Sequence, residues 1–172
     1  PKSLASMGAH VRVMLPAYPA LAALVKTGKA LKTYKDLFGG KARLVAAQSK
    51  GVDLLLLDAP HLFDRPGSLY IDADGEDWDD NHLRFGALSF VAAGVAQGAL
   101  KGWRPDLVHA HDWQAGLVPA YLKESGKPAP PVVMTIHNIA FQGVFPASSL
   151  SDLKLSKTLF TPDGIEYWGK VS

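Results

Sequence analysis

Leu107-Val108-His109-Ala110-His111, then Gln114 to Glu124, then Val132-Val133-Met134-Thr135-Ile136: this stretch decides the fold. Two short, largely aliphatic runs flank a segment of helical length. Gly126, Pro128, Pro130 and Pro131 close that segment. Proline lacks the N–H a helix needs, and glycine accepts the conformation that ends one. A strand, a helix and a strand in this order cross over right-handed and leave the two strands parallel. Neighbouring strands lie about 4.8 Å apart. Asp112 and His137, just past the two strands, are therefore expected on one carboxyl-end edge. In open α/β sheets that edge is where ligands bind.

The flanking sequence extends the α/β pattern toward a mostly parallel sheet. Residues 2–7 read as the end of a helix stopped at Gly8, and His10 to Leu15 as a strand ended by Pro16. Lys41 to Ser49 and Val52 to Leu57 read as strands joined through Lys50-Gly51, an antiparallel hairpin on the sheet. Residues 58–79, rich in Asp, Gly and Pro, read as loop. From about Asp80 to Leu100, Leu83, Ala87, Phe90, Val91, Gly94 and Val95 recur at helical spacing. Gly86, Gly94 and Gly98 would each weaken an isolated helix by about 1 kcal/mol relative to Ala, so close packing on the sheet is expected there.

Composition narrows the classes. With 172 residues, 48% of them hydrophobic, the chain is long enough for one domain with a core. A formal charge of +2 is too small to argue for nucleic acid, and no basic stripe with interleaved aromatics occurs. There is no cysteine, which removes disulfides and thiolate metal sites and fits a reducing compartment. No apolar run approaches the roughly 20 residues that cross a bilayer. The chain begins at Pro1 and ends at Ser172 without a stop signal, so it is expected to be cut from a longer protein at both ends.

Several short patterns invite chemistry. His109 and His111 sit two apart, on one face of a strand, and His137 could complete a metal site. A hydrogen-bonded histidine inside an apolar strand is the commoner outcome. Asp112 is well placed to cap the following helix, a role compatible with a functional one. Asp72 to Asp77 resembles a calcium loop, but Asp77 stands where Gly is needed and Leu83 where Glu is needed. Lys26, Lys29, Lys32 and Lys35 are spaced for one face of a helix, where a solvated face is the ordinary reading. Lys26-Thr27-Gly28-Lys29 lacks the context of a phosphate loop, and neither G-x-G-x-x-G nor G-x-S-x-G occurs.

A set of runs then resembles, in order, the bacterial glycogen (starch) synthase family. They include His10-Val11-Arg12-Val13-Met14-Leu15-Pro16-Ala17-Tyr18-Pro19 and Asp64-Arg65-Pro66-Gly67-Ser68-Leu69-Tyr70. Trp103 to Gln114, with His109-Ala110-His111-Asp112-Trp113 at its centre, Thr135 to Gly143 and Gly164 to Tyr167 complete the set.

The resemblance implies a Rossmann-like three-layer α/β domain, the N-terminal half of a GT-B glycosyltransferase, lacking its first strand. It implies one starch-synthase-type domain over residues 1–172, with the C-terminal nucleotide-binding domain outside the chain. The implied activity is retaining transfer of glucose from ADP-glucose to the 4-hydroxyl of an α-1,4-glucan, in the cytoplasm, with no cofactor and no metal. Carried over by motif, Asp112 and His137 are the catalytic pair, and Tyr70, Trp113, Gln114 and Asn138 bind sugar. Gln114 stands where many relatives carry His. The family's K-T-G-G-L nucleotide loop is not found in its place, so this chain alone is expected to be inactive and prone to aggregate. The rival expectations are a non-catalytic glucan-binding module and a metal hydrolase built on His109, His111 and His137. No nucleic-acid or membrane partner is expected.

Overall fold

The structure, a computed structural model, describes residues 1–172. The chain divides into two compact units, Pro1–Trp78 and Asp79–Ser172.

The first unit begins with helix α1 (Lys2–Ser6), followed by strand β1 (Arg12–Pro16). Helix α2 (Ala22–Thr27), strands β2 (Lys29–Tyr34), β3 (Ala42–Ser49) and β4 (Val52–Asp58), and helix α3 (Pro60–Phe63) come next. The strands form one sheet in the order β1-β4-β3-β2. β1 lies parallel to β4, with Arg12 opposite Asp53 and Pro16 opposite Leu57. β3 and β4 make the expected hairpin, Ser49 pairing with Val52. β4 is interior, and Leu55, Leu56 and Leu57 are buried in succession. An unbroken apolar run marks a strand covered on both faces, whereas a half-exposed strand alternates.

Two expectations fail in this unit. The lysine run does not share a helix face: Lys26 lies in the last turn of α2, while Lys29 and Lys32 lie on β2, an edge strand paired antiparallel with β3. Spacing of three mimics a helix, but lysine also suits a sheet edge, where it discourages pairing with another chain. The presumed loop 58–79 contains α3, whose Leu62 and Phe63 are buried. The acidic stretch is a tight turn, in which the Asp72 carboxylate accepts the backbone N–H groups of Asp74 (2.9 Å) and Glu76 (3.1 Å).

In the second unit, helix α4 (Asn81–Ala96) leads to β5 (Val108–His111), a 3-10 turn (Trp113–Ala115), α5 (Val118–Ser125) and β6 (Val132–Thr135). β5 and β6 are parallel, with Val108 opposite Val132 and His111 opposite Thr135, as the crossover requires. α5 stops at Gly126, whose φ of 63° is left-handed. Beyond it lie β7 (Phe145–Pro146), α6 (Ser149–Asp152), β8 (Glu166–Tyr167) and β9 (Lys170–Val171), the three strands forming an antiparallel sheet in the order β7-β9-β8.

α4 is buried on more than one side. Ala87, Val91 and Val95 are inside as the spacing predicts, but so are Asn81, Arg84 and Ser89, while Phe90 is part exposed. Arg84 donates to the Asn81 side-chain oxygen at 2.6 Å, so its buried charge meets a polar partner. Close packing is found at one of the three glycines, and there it is not against the sheet. A Cβ at Gly86 would come within 2.4 Å of Leu153, which lies after α6 and not on a strand. At Gly94 the nearest atom is 3.9 Å away, and Gly98 lies past the end of the helix. No helix is long and apolar enough to cross a membrane.

Candidate active site

The carboxyl edge of the β5–β6 pair brings Asp112 and His137 together. The backbone N–H of His137 donates to Asp112 Oδ1 at 2.7 Å. Asp112 is held at both ends of its own backbone: its N–H reaches Thr135 O (2.9 Å) and its carbonyl accepts from Ala115 N–H (3.1 Å). Its φ of 54° and ψ of −176° form a combination that side chains other than glycine rarely adopt. Such a conformation costs on the order of 1–3 kcal/mol and persists where surroundings over-determine it. The three hydrogen bonds supply that constraint.

Contrary to expectation, Asp112 does not cap the following helix. Its side chain makes no capping bond, because the chain enters a 3-10 turn first and α5 starts only at Val118. The carboxylate is thereby released to the β6 side, where it fixes the backbone of His137.

Three imidazoles line this edge. His109 stacks on His111 with centroids 4.1 Å apart, and His109 Nε2 lies 2.6 Å from Thr135 Oγ1. His111 Nδ1 and His137 Nε2 face each other at 3.0 Å. The pKa of His111 is held below the usual histidine value by desolvation first, then by the neighbouring rings of His109 and His137, against an opposing pull from Asp112. No three His, Asp or Glu side chains are grouped so as to hold a metal ion.

Trp113 is half-buried and packed on several sides. Phe85 meets it edge to face at 4.9 Å, and Phe145 lies tilted against it at 5.7 Å. Gly143 lies against its ring: a Cβ there would come within 2.3 Å of Trp113, and its φ of 61° is left-handed. Trp113, Phe85, Met134, Ile139, Phe141 and Phe145 border an apolar pocket of about 330 Å³. Asn138 shapes the adjoining loop, its side-chain oxygen accepting Ala140 N–H at 3.0 Å. Gln114 sits in the 3-10 turn, and its carbonyl accepts the Ser89 hydroxyl at 3.4 Å. Asp112, Trp113, Gln114, His137 and Asn138 thus belong to one region of the second unit. Tyr70 belongs to the first unit, exposed, with its carbonyl accepting Trp78 N–H at 3.2 Å.

One feature of the site leaves little trace in the sequence. The close approach of Gly143 to Trp113 carries no signal beyond a glycine that ends an aromatic-containing loop. The His111–His137 contact was legible from register. His111 pairs with Thr135, the last residue of β6, and His137 follows two positions on, where its ring meets that of His111.

Comparison with known proteins gives the arrangement its class. The solved catalytic domain of Starch Synthase IV from Arabidopsis thaliana, bound to ADP and acarbose, matches with a TM-score of 0.73 at 24% identity, over 99% of this chain and 36% of that one. This is the Rossmann-like α/β fold of a GT-B glycosyltransferase. The family model of the starch synthase catalytic domain matches residues 1–172, and the chain belongs to that family. A glycogen synthase from Roseobacter denitrificans is 57% identical over 171 residues, covering 99% of this chain and 36% of the relative. One from Paracoccus denitrificans is 49% identical over 172 residues, covering 37% of its length. The chain thus spans little more than a third of the curated relatives it matches.

Proposed function

We propose that these 172 residues form one wall of a glycogen synthase site, which transfers glucose from ADP-glucose to the 4-hydroxyl of an α-1,4-glucan with retention of configuration. The observation that carries the reading is the Asp112 carboxylate held against the His137 backbone at 2.7 Å on the ligand-binding edge of a parallel pair. Breaking a sugar–phosphate bond develops positive charge at the anomeric carbon and negative charge on the departing ADP. Dipoles and charges fixed beforehand stabilise that separation without reorganising. Asp112 is fixed in this sense by its backbone, and its second carboxylate oxygen is the natural acceptor for sugar hydroxyls. His137 binds the donor glucose near its anomeric region, through its ring or its carbonyl.

The packing around Trp113 supports a bracing role for that ring, holding the 138–143 loop beside the sugar, in addition to an apolar face for the pyranose. Asn138 keeps the same loop in shape, Gln114 borders the acceptor subsite, and Tyr70 contributes an exposed ring for glucan. Paired carboxylates about 5 Å apart, as retaining glycosidases use, have no part in this reading. The leaving phosphate itself assists the acceptor hydroxyl. The groups that hold ADP are assigned to protein outside these residues, and the reaction to the cytoplasm, where a cysteine-free chain is at home.

Retention on immobilised amylose tests the binding half of the proposal. The chain should be retarded, and Asp112→Asn and Tyr70→Ala should each elute earlier; elution identical for all three rejects it. Mixed with ADP-glucose and glycogen, the chain alone should transfer no glucose. Measurable transfer would overturn the assignment of the ADP-holding groups.

A further inference from the structure

His111 is on no substrate-facing role derived above, yet its ring is set against that of His137 in a specific way. The planes of the two rings are inclined by 20° to one another, and their centroids are 5.3 Å apart. With Nδ1 and Nε2 3.0 Å apart, that separation is the N···N distance plus one ring radius on each side. The rings therefore meet edge to edge, in line, as an N–H···N hydrogen bond requires. On its other side His111 is stacked on His109, and His109 is anchored to Thr135 Oγ1, so the acceptor cannot swing away freely.

We propose that His111 is the positioning residue for His137: its Nδ1 accepts the Nε2 proton of His137 and so fixes both the tautomer and the ring plane of that residue. A neutral imidazole has one donor and one acceptor nitrogen, and the partner of one dictates the state of the other. With the proton committed to Nε2, Nδ1 of His137 keeps its lone pair and becomes the ring's face toward a sugar hydroxyl. His109, His137 and Asp112 are titratable neighbours of His111 on this edge, and the two imidazoles oppose a second cation in the pair, leaving His111 as the neutral acceptor. The inference rests on the reading of His137 as a sugar-site residue, and deepens it by naming the atom presented.

Nitrogen-15 NMR of the labelled chain, without any sugar, tests this directly. At a pH where both rings are neutral, the expected result is a through-hydrogen-bond coupling between the two ring nitrogens, with His137 protonated at Nε2 and bare at Nδ1. A missing coupling, or a proton on Nδ1, overturns the proposal. His111→Asn, which sets an amide oxygen about where Nδ1 stands, should preserve the His137 tautomer. His111→Phe, which keeps a flat ring but offers no acceptor, should release it to a mixture of both forms. A pure Nε2-H signal in the Phe variant also overturns the proposal; should that variant fail to fold, the wild-type coupling still decides. The readout needs no glucosyl transfer, so failure of the tautomer assignment is told apart from failure of the synthase reading.

Discussion

Gly143 and His111 show how single positions set this site. Any side chain at 143 meets two obstacles, a left-handed φ and the Trp113 ring. Gly143→Ala should therefore destabilise the fold by about 1–3 kcal/mol, the usual range for overpacking, measurable as a shift in the urea midpoint, and should weaken amylose retention by moving the 138–143 loop. For His111 the sign follows from linkage. Its folded pKa lies below the ordinary value near 6.5, so as pH falls through that value the unfolded chain takes up a proton before the folded one does. Stability should thus be full above about pH 6.5 and decline as pH drops toward the lowered folded pKa. His111→Asn, which cannot titrate, should flatten that part of a urea-midpoint profile; an unchanged slope would assign it to other groups.

Among the elements, β5, α5 and β6 were readable because apolar runs of strand length are punctuated by proline and glycine, and chirality does the rest. The β3–β4 hairpin was readable for the same reason. β2 was not: an edge strand needs no apolar face, and its lysines fall at intervals that imitate a helix. The segment after 145 was not either, since strands of two residues carry no periodicity and are held by cross-links between loops. At the site, the pairing of positions 112 and 137 was legible from topology. The release of the Asp112 carboxylate from its cap was not, because it depends on a 3-10 turn displacing the helix start. One contact ties the late elements together: Tyr121 on α5 donates its hydroxyl to the carbonyl of Leu153 at 2.7 Å, fully buried. Burial also pushes its phenol pKa up. Tyr121→Phe leaves that carbonyl unsatisfied and should cost about 1–3 kcal/mol, seen as a lower unfolding midpoint with sugar binding at low temperature unchanged.

For the whole molecule, the notable quantity is apolar surface. β5 and β6 form a two-stranded parallel sheet, an arrangement that known folds cover on both faces. Here Leu107 is 50% exposed, Ile136 56% and Phe141 66%, with Val133 and Met134 also in solvent. Exposed strand edges with apolar neighbours invite pairing with another chain. Light scattering should show association that grows with concentration, and Val133→Lys should reduce it; a monomer at every concentration for both would contradict the expectation.

The backbone of Asp112 has a consequence for anyone who evolves this chain. A glycine there would relax φ at no steric cost and delete the carboxylate in one step. Selection for thermal robustness alone would accordingly drift toward variants that survive heating and have forgotten how to grip a sugar. Screens on this scaffold should score both traits at once.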